Sequence, residues 1–173
     1  MPAVIVIENP YSNENAIERL VYYIVNQLKA PDYSVYGNHI NLMNADTIIN
    51  SFKLIQSIYQ KTDRRKIRHI IVSFNNNEGI IEEDVSILQY AAVEYFRKLG
   101  QQVLTAIHLP FNNEGKIHFH MAVNTVNLYT GLKYSGTYTQ STDFFNYMKS
   151  IEPYHYLHWI LEPKYSTEYA EVN

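Results

Sequence analysis

The chain has 173 residues, of which 46% are hydrophobic and 18% charged, a balance typical of one globular domain. It contains no cysteine, which excludes disulfide bonds and thiolate metal sites and leaves histidine and carboxylate as metal ligands. The formal net charge of −3 argues against a large nucleic-acid footprint, because phosphate binding usually rests on clustered Lys and Arg. No apolar run approaches the roughly 18 residues of a membrane-spanning helix, and the first residues do not resemble a signal peptide, so we expect a cytoplasmic protein.

Hydrophobic periodicity predicts alternating strands and helices in the first third of the chain. A strand is expected over 2–8, and apolar residues at three- and four-residue steps predict an amphipathic helix over 13–29. Tyr22 and Tyr23 lie on either flank of its apolar stripe, so either hydroxyl could face a cleft. A weak strand is expected over 35–42.

A basic segment separates the next two predicted elements. A helix is expected over 45–60, with Asn44 as its N-cap, and a strand rich in β-branched residues over 67–74. Between them the run KTDRRKIR, at 61–68, is the dense basic segment of the chain. Its cationic side chains would either bind phosphates or form a solvated charged surface, which is the commoner case; they are Arg64, Arg65, Lys66 and Arg68.

The second half of the chain is predicted to contain two helices and three strands. The helices are expected over 82–99 and 139–151. Strands over 102–109 and 116–126 are predicted to pair as an antiparallel hairpin with a long loop, and a last strand is expected over 154–161.

Together these elements predict an α+β fold with a central antiparallel five-stranded sheet and helices packed mainly on one of its faces. The antiparallel hairpin is the reason for preferring this class to a parallel α/β arrangement. A single domain is expected over 1–161, followed by a loose C-terminal tail over 162–173.

The predicted hairpin carries three histidines whose positions indicate a metal site. Alternation along the strand over 116–126 places His118 and His120 on one face, while the opposite face is wholly apolar and belongs to the core. His108 on the preceding strand can lie opposite this pair. Three converging imidazoles suit a divalent cation with an open position for a substrate oxygen. The alternative is three surface histidines on a half-exposed sheet face.

Four segments carry a resemblance to a known family. They are LVYYIVN at 20–26, HIIVSF at 69–74, AIHL at 106–109 and HFHMAVNTVNLYTGLKY at 118–134. Together they resemble the motifs of the relaxases and mobilisation nucleases, which are histidine-hydrophobic-histidine (HUH) endonucleases. The resemblance covers most of 15–161; its histidine motif is fairly specific, whereas its tyrosine motif alone is weak.

The resemblance implies an enzyme that nicks one strand of DNA at a transfer origin during plasmid conjugation. A tyrosine attacks the scissile phosphate and stays joined to the 5′ end, and a divalent metal ion, here expected to be Mg²⁺ or Mn²⁺, polarises the phosphate oxygens. The implied partner is single-stranded DNA, with accessory mobilisation proteins as further partners and no membrane.

The resemblance also assigns roles to individual residues. The implied metal ligands are His108, His118 and His120. Tyr23 matches the nucleophilic tyrosine, with Tyr22 left as an alternative, and His69 is a neighbouring base that could activate it. Asn124 matches the asparagine that follows the histidine pair and is expected to contact DNA, as are Arg64, Arg65 and Arg68.

One departure from the family pattern and three rival functions remain open. The family commonly has an acidic residue soon after the first histidine, whereas here the loop LPFNNEGKI is longer and its one acid, Glu114, is expected to belong to a turn. A rolling-circle replication initiator or single-strand transposase of the same superfamily would use the same residues. A non-catalytic relaxase-like module would bind only DNA or protein, and a metal-dependent hydrolase of small phosphoesters would not need Tyr23.

Overall fold

One mixed β-sheet with helices on both faces organises the chain in the computed structural model. The residues described are 1–8, 11–26, 28–75, 78–110 and 116–164. Within those ranges the strands are β1 (Ala3–Ile7), β2 (Val35–Asn38), β3 (Ile67–Ser73), β4 (Val103–His108), β5 (His118–Asn124) and β6 (Ile160–Lys164). Within the same ranges the α-helices are α1 (Ala16–Ile24), α2 (Ala45–Ile58), α3 (Glu82–Lys98) and α4 (Tyr138–Lys149).

The sheet confirms the α+β class, and it differs from the expected sheet in the position and direction of its edge strand β6. Its order is β2-β4-β5-β3-β1-β6, and every neighbouring pair is antiparallel except β1 and β6, which are parallel. All six predicted strands are present among the described residues and join one sheet, where a five-stranded sheet was expected. The last strand, predicted over 154–161, is β6 at Ile160–Lys164, which pairs in parallel with β1. Residues 162–164 therefore belong to the sheet rather than to a loose tail, while 165–173 lie outside the described residues. Backbone pairing at an edge strand needs no apolar pattern, so side-chain alternation did not locate the end of β6.

Helices cover both faces of the sheet, whereas they were expected mainly on one face. On one face α3 and α4 pack against the apolar side chains of the central strands, and this core contains both Phe96 and Phe119. On the other face α1 and α2 pack together over a smaller core that includes Leu104 and Ala122. Both faces of the central strands are thus covered, and His118, His120 and Asn124 of β5 lie on the second face.

Local sequence determines several of the helix ends. Asn44 caps α2, where its side chain accepts a hydrogen bond from the Thr47 backbone N–H at 2.9 Å. Gly100 follows α3 with φ +78°, a left-handed conformation that glycine adopts without a steric cost. In contrast, α1 ends at Ile24, well before the predicted end at residue 29, and the Asn26 side chain accepts a hydrogen bond from the Leu28 N–H at 3.1 Å. This turn returns the chain toward the sheet face.

Asn124 lies at the end of β5 in a fully buried polar network. Its Oδ1 accepts hydrogen bonds from Gln56 Nε2 at 2.9 Å and from the Val126 N–H at 3.1 Å. Its Nδ2 donates to the Phe52 carbonyl at 3.2 Å and to Gln102 Oε1 at 2.7 Å. With 0% exposure the side chain cannot contact DNA, so the expected DNA-binding role is wrong and the residue ties α2 to the sheet.

We expect Asn124→Ala to lower the free energy of unfolding by about 2–4 kcal/mol, because it leaves several buried polar groups without partners. Asn50→Ala, on the exposed side of α2, is the matched control and should change it by no more than about 0.5 kcal/mol. Urea unfolding of both variants measures the difference. Equal stability of the two, with a specific loss of DNA affinity in Asn124→Ala, would restore the DNA-contact interpretation.

Candidate active site

The β4–β5 hairpin brings three histidines together on one face of the sheet. His108 lies directly opposite His118 in the strand register, and His120 is opposite Ala106. The ring centroids of His108 and His120 are 4.4 Å apart, those of His118 and His120 are 4.8 Å apart, and those of His108 and His118 are 5.5 Å apart. One ligand nitrogen from each ring lies within 4.8 Å of the others, so the convergence expected from strand alternation is present.

Two of these rings are oriented by backbone carbonyls. His108 Nε2 lies 2.9 Å from the Ile24 carbonyl oxygen at the end of α1, and His118 Nδ1 lies 2.7 Å from the Lys116 carbonyl oxygen. A carbonyl only accepts, so each of these nitrogens carries the proton of its neutral ring. The opposite nitrogens, Nδ1 of His108 and Nε2 of His118, therefore keep their lone pairs for a ligand.

His120 is held in a similar way by another histidine. Its Nδ1 lies 2.8 Å from His69 Nε2, whereas its Nε2 is buried and has no hydrogen-bond partner among the described residues. A buried polar nitrogen without a partner is costly, and a cation bound there would satisfy it. Three imidazoles, each with one nitrogen held and the other available, fit a divalent metal ion.

Burial keeps the three rings neutral. It lowers the pKa of His108 to about 4, against the opposing effect of the hydrogen bond to Ile24. Burial is also the main cause of the lowered pKa values of His118 and His120, and the nearby positive charge of Lys29 lowers both further. The neutral imidazole is the form that ligates metal, so these rings need not lose a proton near pH 7.

His69 lies behind the three histidines and is fully buried. Its Nδ1 is 2.9 Å from the Tyr11 hydroxyl, its Nε2 contacts His120, and burial lowers its pKa to about 3. Because both ring nitrogens are hydrogen-bonded within the protein, His69 has no lone pair available to take a proton from Tyr23. The expected role of His69 as the activating base is therefore not supported by its placement.

Tyr23 on α1 packs directly against the histidines. Its ring centroid lies 5.0 Å from that of His120 and 5.6 Å from that of His108. The ring also borders an open cavity of about 260 Å³, whose other lining residues are Ile5, Ile71, Ser73, Lys116, His118 and His120. A substrate in this cavity would contact both the tyrosine and the histidines.

Tyr22 points elsewhere. Its side chain is exposed, and its hydroxyl donates a 2.7 Å hydrogen bond to Asp46 Oδ1 on α2, which raises the pKa of the phenol. A phenol with a raised pKa that faces away from the cavity is poorly suited to nucleophilic attack. The geometry therefore favours Tyr23 over Tyr22.

The site contains residues that the sequence pattern did not single out. Lys29 Nζ lies 5.0 Å from the Tyr23 ring centroid, because α1 ends early and the chain turns back toward the sheet. Tyr11, in the segment between β1 and α1, reaches His69, and Ser73 lines the cavity from the end of β3. Tyr11 had no recognisable signal, since its partner is 58 residues away in the chain.

The basic run at 61–68 is divided between buried and exposed positions. Arg68 is 4% exposed and donates to the Gly136 carbonyl at 2.9 Å and to Glu8 Oε2 at 3.3 Å, so its expected phosphate contact is wrong. Arg65 is half-buried and donates to the Glu8 carbonyl at 2.9 Å, whereas Arg64 is exposed beside Asp63. The exposed Arg64 fits a phosphate contact best. Glu114 falls at 111–115, outside the described residues.

Three clustered histidines on a mostly antiparallel sheet, two of which line a cavity together with Tyr23 of α1, define a candidate metal-binding site for phosphate chemistry. The family model for relaxases, the MobA/VirD2-like nuclease domain, matches residues 23–157, which is more than half of the chain. The chain therefore belongs to the relaxase family, and its class is that of the relaxase nuclease domains. No curated protein and no solved structure was found to match it. Across the residues that the structure describes, none of the helices combines the length and apolarity needed to cross a membrane.

Proposed function

We propose that this chain nicks single-stranded DNA at a transfer origin by metal-dependent transesterification, with Tyr23 as the nucleophile. The observation that carries the proposal is the packing of the Tyr23 ring against His108 and His120 at the edge of an open cavity. The family supports the reaction class, and the nearness of the Tyr23 ring to the candidate metal ligands supports Tyr23 as the nucleophile.

In the proposed reaction the Tyr23 oxygen forms a bond to the scissile phosphorus, and the bond from phosphorus to the 3′ oxygen breaks. The phenol loses its proton and the 3′ oxygen gains one, so the products are a 3′ hydroxyl and a 5′-phosphotyrosyl link. One phosphodiester replaces another, which makes the step reversible and suits strand transfer and religation.

Metal binding in this reaction depends on the three histidines and on the backbone carbonyls that orient two of them. His108, His118 and His120 would hold Mg²⁺ or Mn²⁺, which when bound polarises the phosphate oxygens and offsets their charge. Hydrogen bonds from the histidine rings to the Ile24 and Lys116 carbonyls keep the ligand nitrogens directed inward. The family as a whole implies single-stranded DNA as the substrate.

The direct test of this function is a covalent adduct. Labelled single-stranded oligonucleotides that span the transfer-origin-like region beside the coding sequence are incubated with the full chain, with Mn²⁺ or with EDTA. A labelled protein band on a denaturing gel, present only with metal, is the expected result. If no oligonucleotide gives this band although the protein binds Mn²⁺, the nicking proposal is wrong.

A second candidate is a relaxase-like module that binds DNA without cutting it. It is favoured by the internal use of Arg68 and Arg65, which contact Glu8, in a chain with a net charge of −3. Oligonucleotide binding without any adduct would support this second function.

We expect Lys29→Gln to lower the rate of adduct formation roughly tenfold at low salt, because an ammonium beside Tyr23 would contact a phosphate oxygen of the substrate. The matched control is Lys98→Gln, at the end of α3, which packs on the opposite face of the sheet. Rates measured at two salt concentrations should differ less for Lys29→Gln than for the control. Identical rates and salt dependence in the two variants would exclude a phosphate contact.

A further inference from the structure

A hydrogen-bonded chain of side chains runs from the loop before α1 to the centre of the candidate metal site. Tyr11 bonds His69 at 2.9 Å, and His69 bonds His120 at 2.8 Å. Both histidines are almost completely buried. The Lys66 N–H, immediately before β3, donates a 3.0 Å hydrogen bond to the Tyr11 carbonyl. Tyr11 also lies outside residues 23–157, so the family match assigns it no role.

We propose that Tyr11 and His69 are positioning residues that set the tautomer and the orientation of His120 for metal binding. The inference rests on the proposed metal site and goes beyond it by extending that site to Tyr11. It also gives His69 a role that differs from the base expected from sequence.

The direction of the hydrogen bonds carries the argument. For His120 Nε2 to offer a lone pair, the proton of that neutral ring must be on Nδ1, which then donates to His69 Nε2. A neutral His69 that accepts at Nε2 has its proton on Nδ1 and donates it to the Tyr11 oxygen. In this order the Tyr11–His69 and His69–His120 contacts each have one donor and one acceptor.

The reverse order is incompatible with ligation. If Tyr11 donated to His69, the proton of His69 would lie on Nε2 and be donated to His120 Nδ1. His120 would then carry its own proton on Nε2, a buried position with no acceptor among the described residues. Metal binding selects the first order, and the acceptor capacity of Tyr11 stabilises that order.

Calorimetric titration of the full chain with Mn²⁺ alone tests the proposal. Loss of an outer partner of a ligating histidine typically weakens metal affinity 10- to 100-fold, and we expect this for His69→Leu. His69→Gln, whose amide oxygen can accept from His120 Nδ1, should stay within about fivefold of wild type. Tyr11→Phe should weaken binding by about three- to tenfold, because it removes the acceptor for His69 Nδ1.

Two further measurements separate positioning from packing. Tyr154→Phe also removes the hydroxyl of a buried tyrosine, one that donates to Asp84, and it should leave Mn²⁺ affinity unchanged. With Co²⁺ as a spectroscopic probe, the visible absorption bands should change in His69→Leu and remain like wild type in His69→Gln. If His69→Leu does not fold, the comparison of Tyr11→Phe with Tyr154→Phe decides the question by itself.

The proposal is overturned if Tyr11→Phe binds Mn²⁺ as tightly as Tyr154→Phe. Equal losses in His69→Leu and His69→Gln would also overturn it, since they would indicate packing rather than hydrogen bonding. Absence of Mn²⁺ binding in the wild type would remove the site altogether. In contrast, the wild type could bind metal tightly and form no DNA adduct. That result would contradict the nicking proposal and leave the present inference unaffected.

Discussion

Tyr23→Phe is expected to reduce covalent adduct formation with single-stranded DNA by at least about a thousandfold, because it removes the one atom that would bond to phosphorus. The ring itself is retained, so its packing against His108 and His120 should persist and the fold should be unaffected. The measurement is the yield of labelled protein on a denaturing gel in the presence of Mn²⁺, with thermal unfolding as a check on folding.

Tyr22→Phe is the matched control for this prediction, since Tyr22 is adjacent in the helix and loses only its exposed hydrogen bond to Asp46. We expect its adduct yield to stay within about threefold of wild type. An adduct that survives in Tyr23→Phe and disappears in Tyr22→Phe would assign the nucleophile to Tyr22. Survival in both variants would show that neither tyrosine is the nucleophile.

Mn²⁺ is expected to stabilise the wild-type protein against heat, and His118→Ala should abolish this effect. A ligand that binds only the folded chain at 100 times its Kd adds about 2.7 kcal/mol, which raises the Tm of a domain of this size by roughly 5–10 °C. His118 is the least buried of the three histidines, so its removal should cost little stability in the absence of metal. Thermal scans with Mn²⁺ and with EDTA give the difference directly.

His155→Ala is the control, because His155 is an exposed histidine whose ion pair with Glu152 lies in the turn that follows α4. It should keep the full Mn²⁺-induced rise in Tm and the full adduct yield. An equal rise in His118→Ala and His155→Ala would mean that the ion binds somewhere else.

Much of the site could be predicted from sequence because its signals are local. Alternation along β5 places His118 and His120 on one face, and the hairpin brings His108 opposite them without reference to the rest of the fold. The same periodicity located the main helices and strands, and the motif resemblance led to the family that the comparison confirmed.

The corrections all concern residues whose role depends on what packs over them. Asn124 and Arg68 were predicted to contact DNA. The structure buries both side chains, and each makes hydrogen bonds inside the protein. His69 was predicted to be the base that activates Tyr23. Its ring nitrogens instead bond Tyr11 and His120, which leaves neither of them available to accept the Tyr23 proton. Side-chain exposure is a property of the assembled layers, and a strand pattern does not specify it.

The sequence by itself determined the class of fold, the histidine face of the hairpin and the family, because each rests on patterns within one or two neighbouring elements. Only the tertiary structure distinguishes the surroundings of Tyr22 and Tyr23. Both flank the same apolar stripe, but the packing of α1 on the sheet directs Tyr23 toward the histidines and leaves Tyr22 bonded to Asp46. Only the tertiary structure reveals the hydrogen bonds that connect Tyr11 to His120 through His69, which span 58 and 51 residues of sequence. Contacts at such separations form only when the whole sheet has assembled, so no local pattern encodes them.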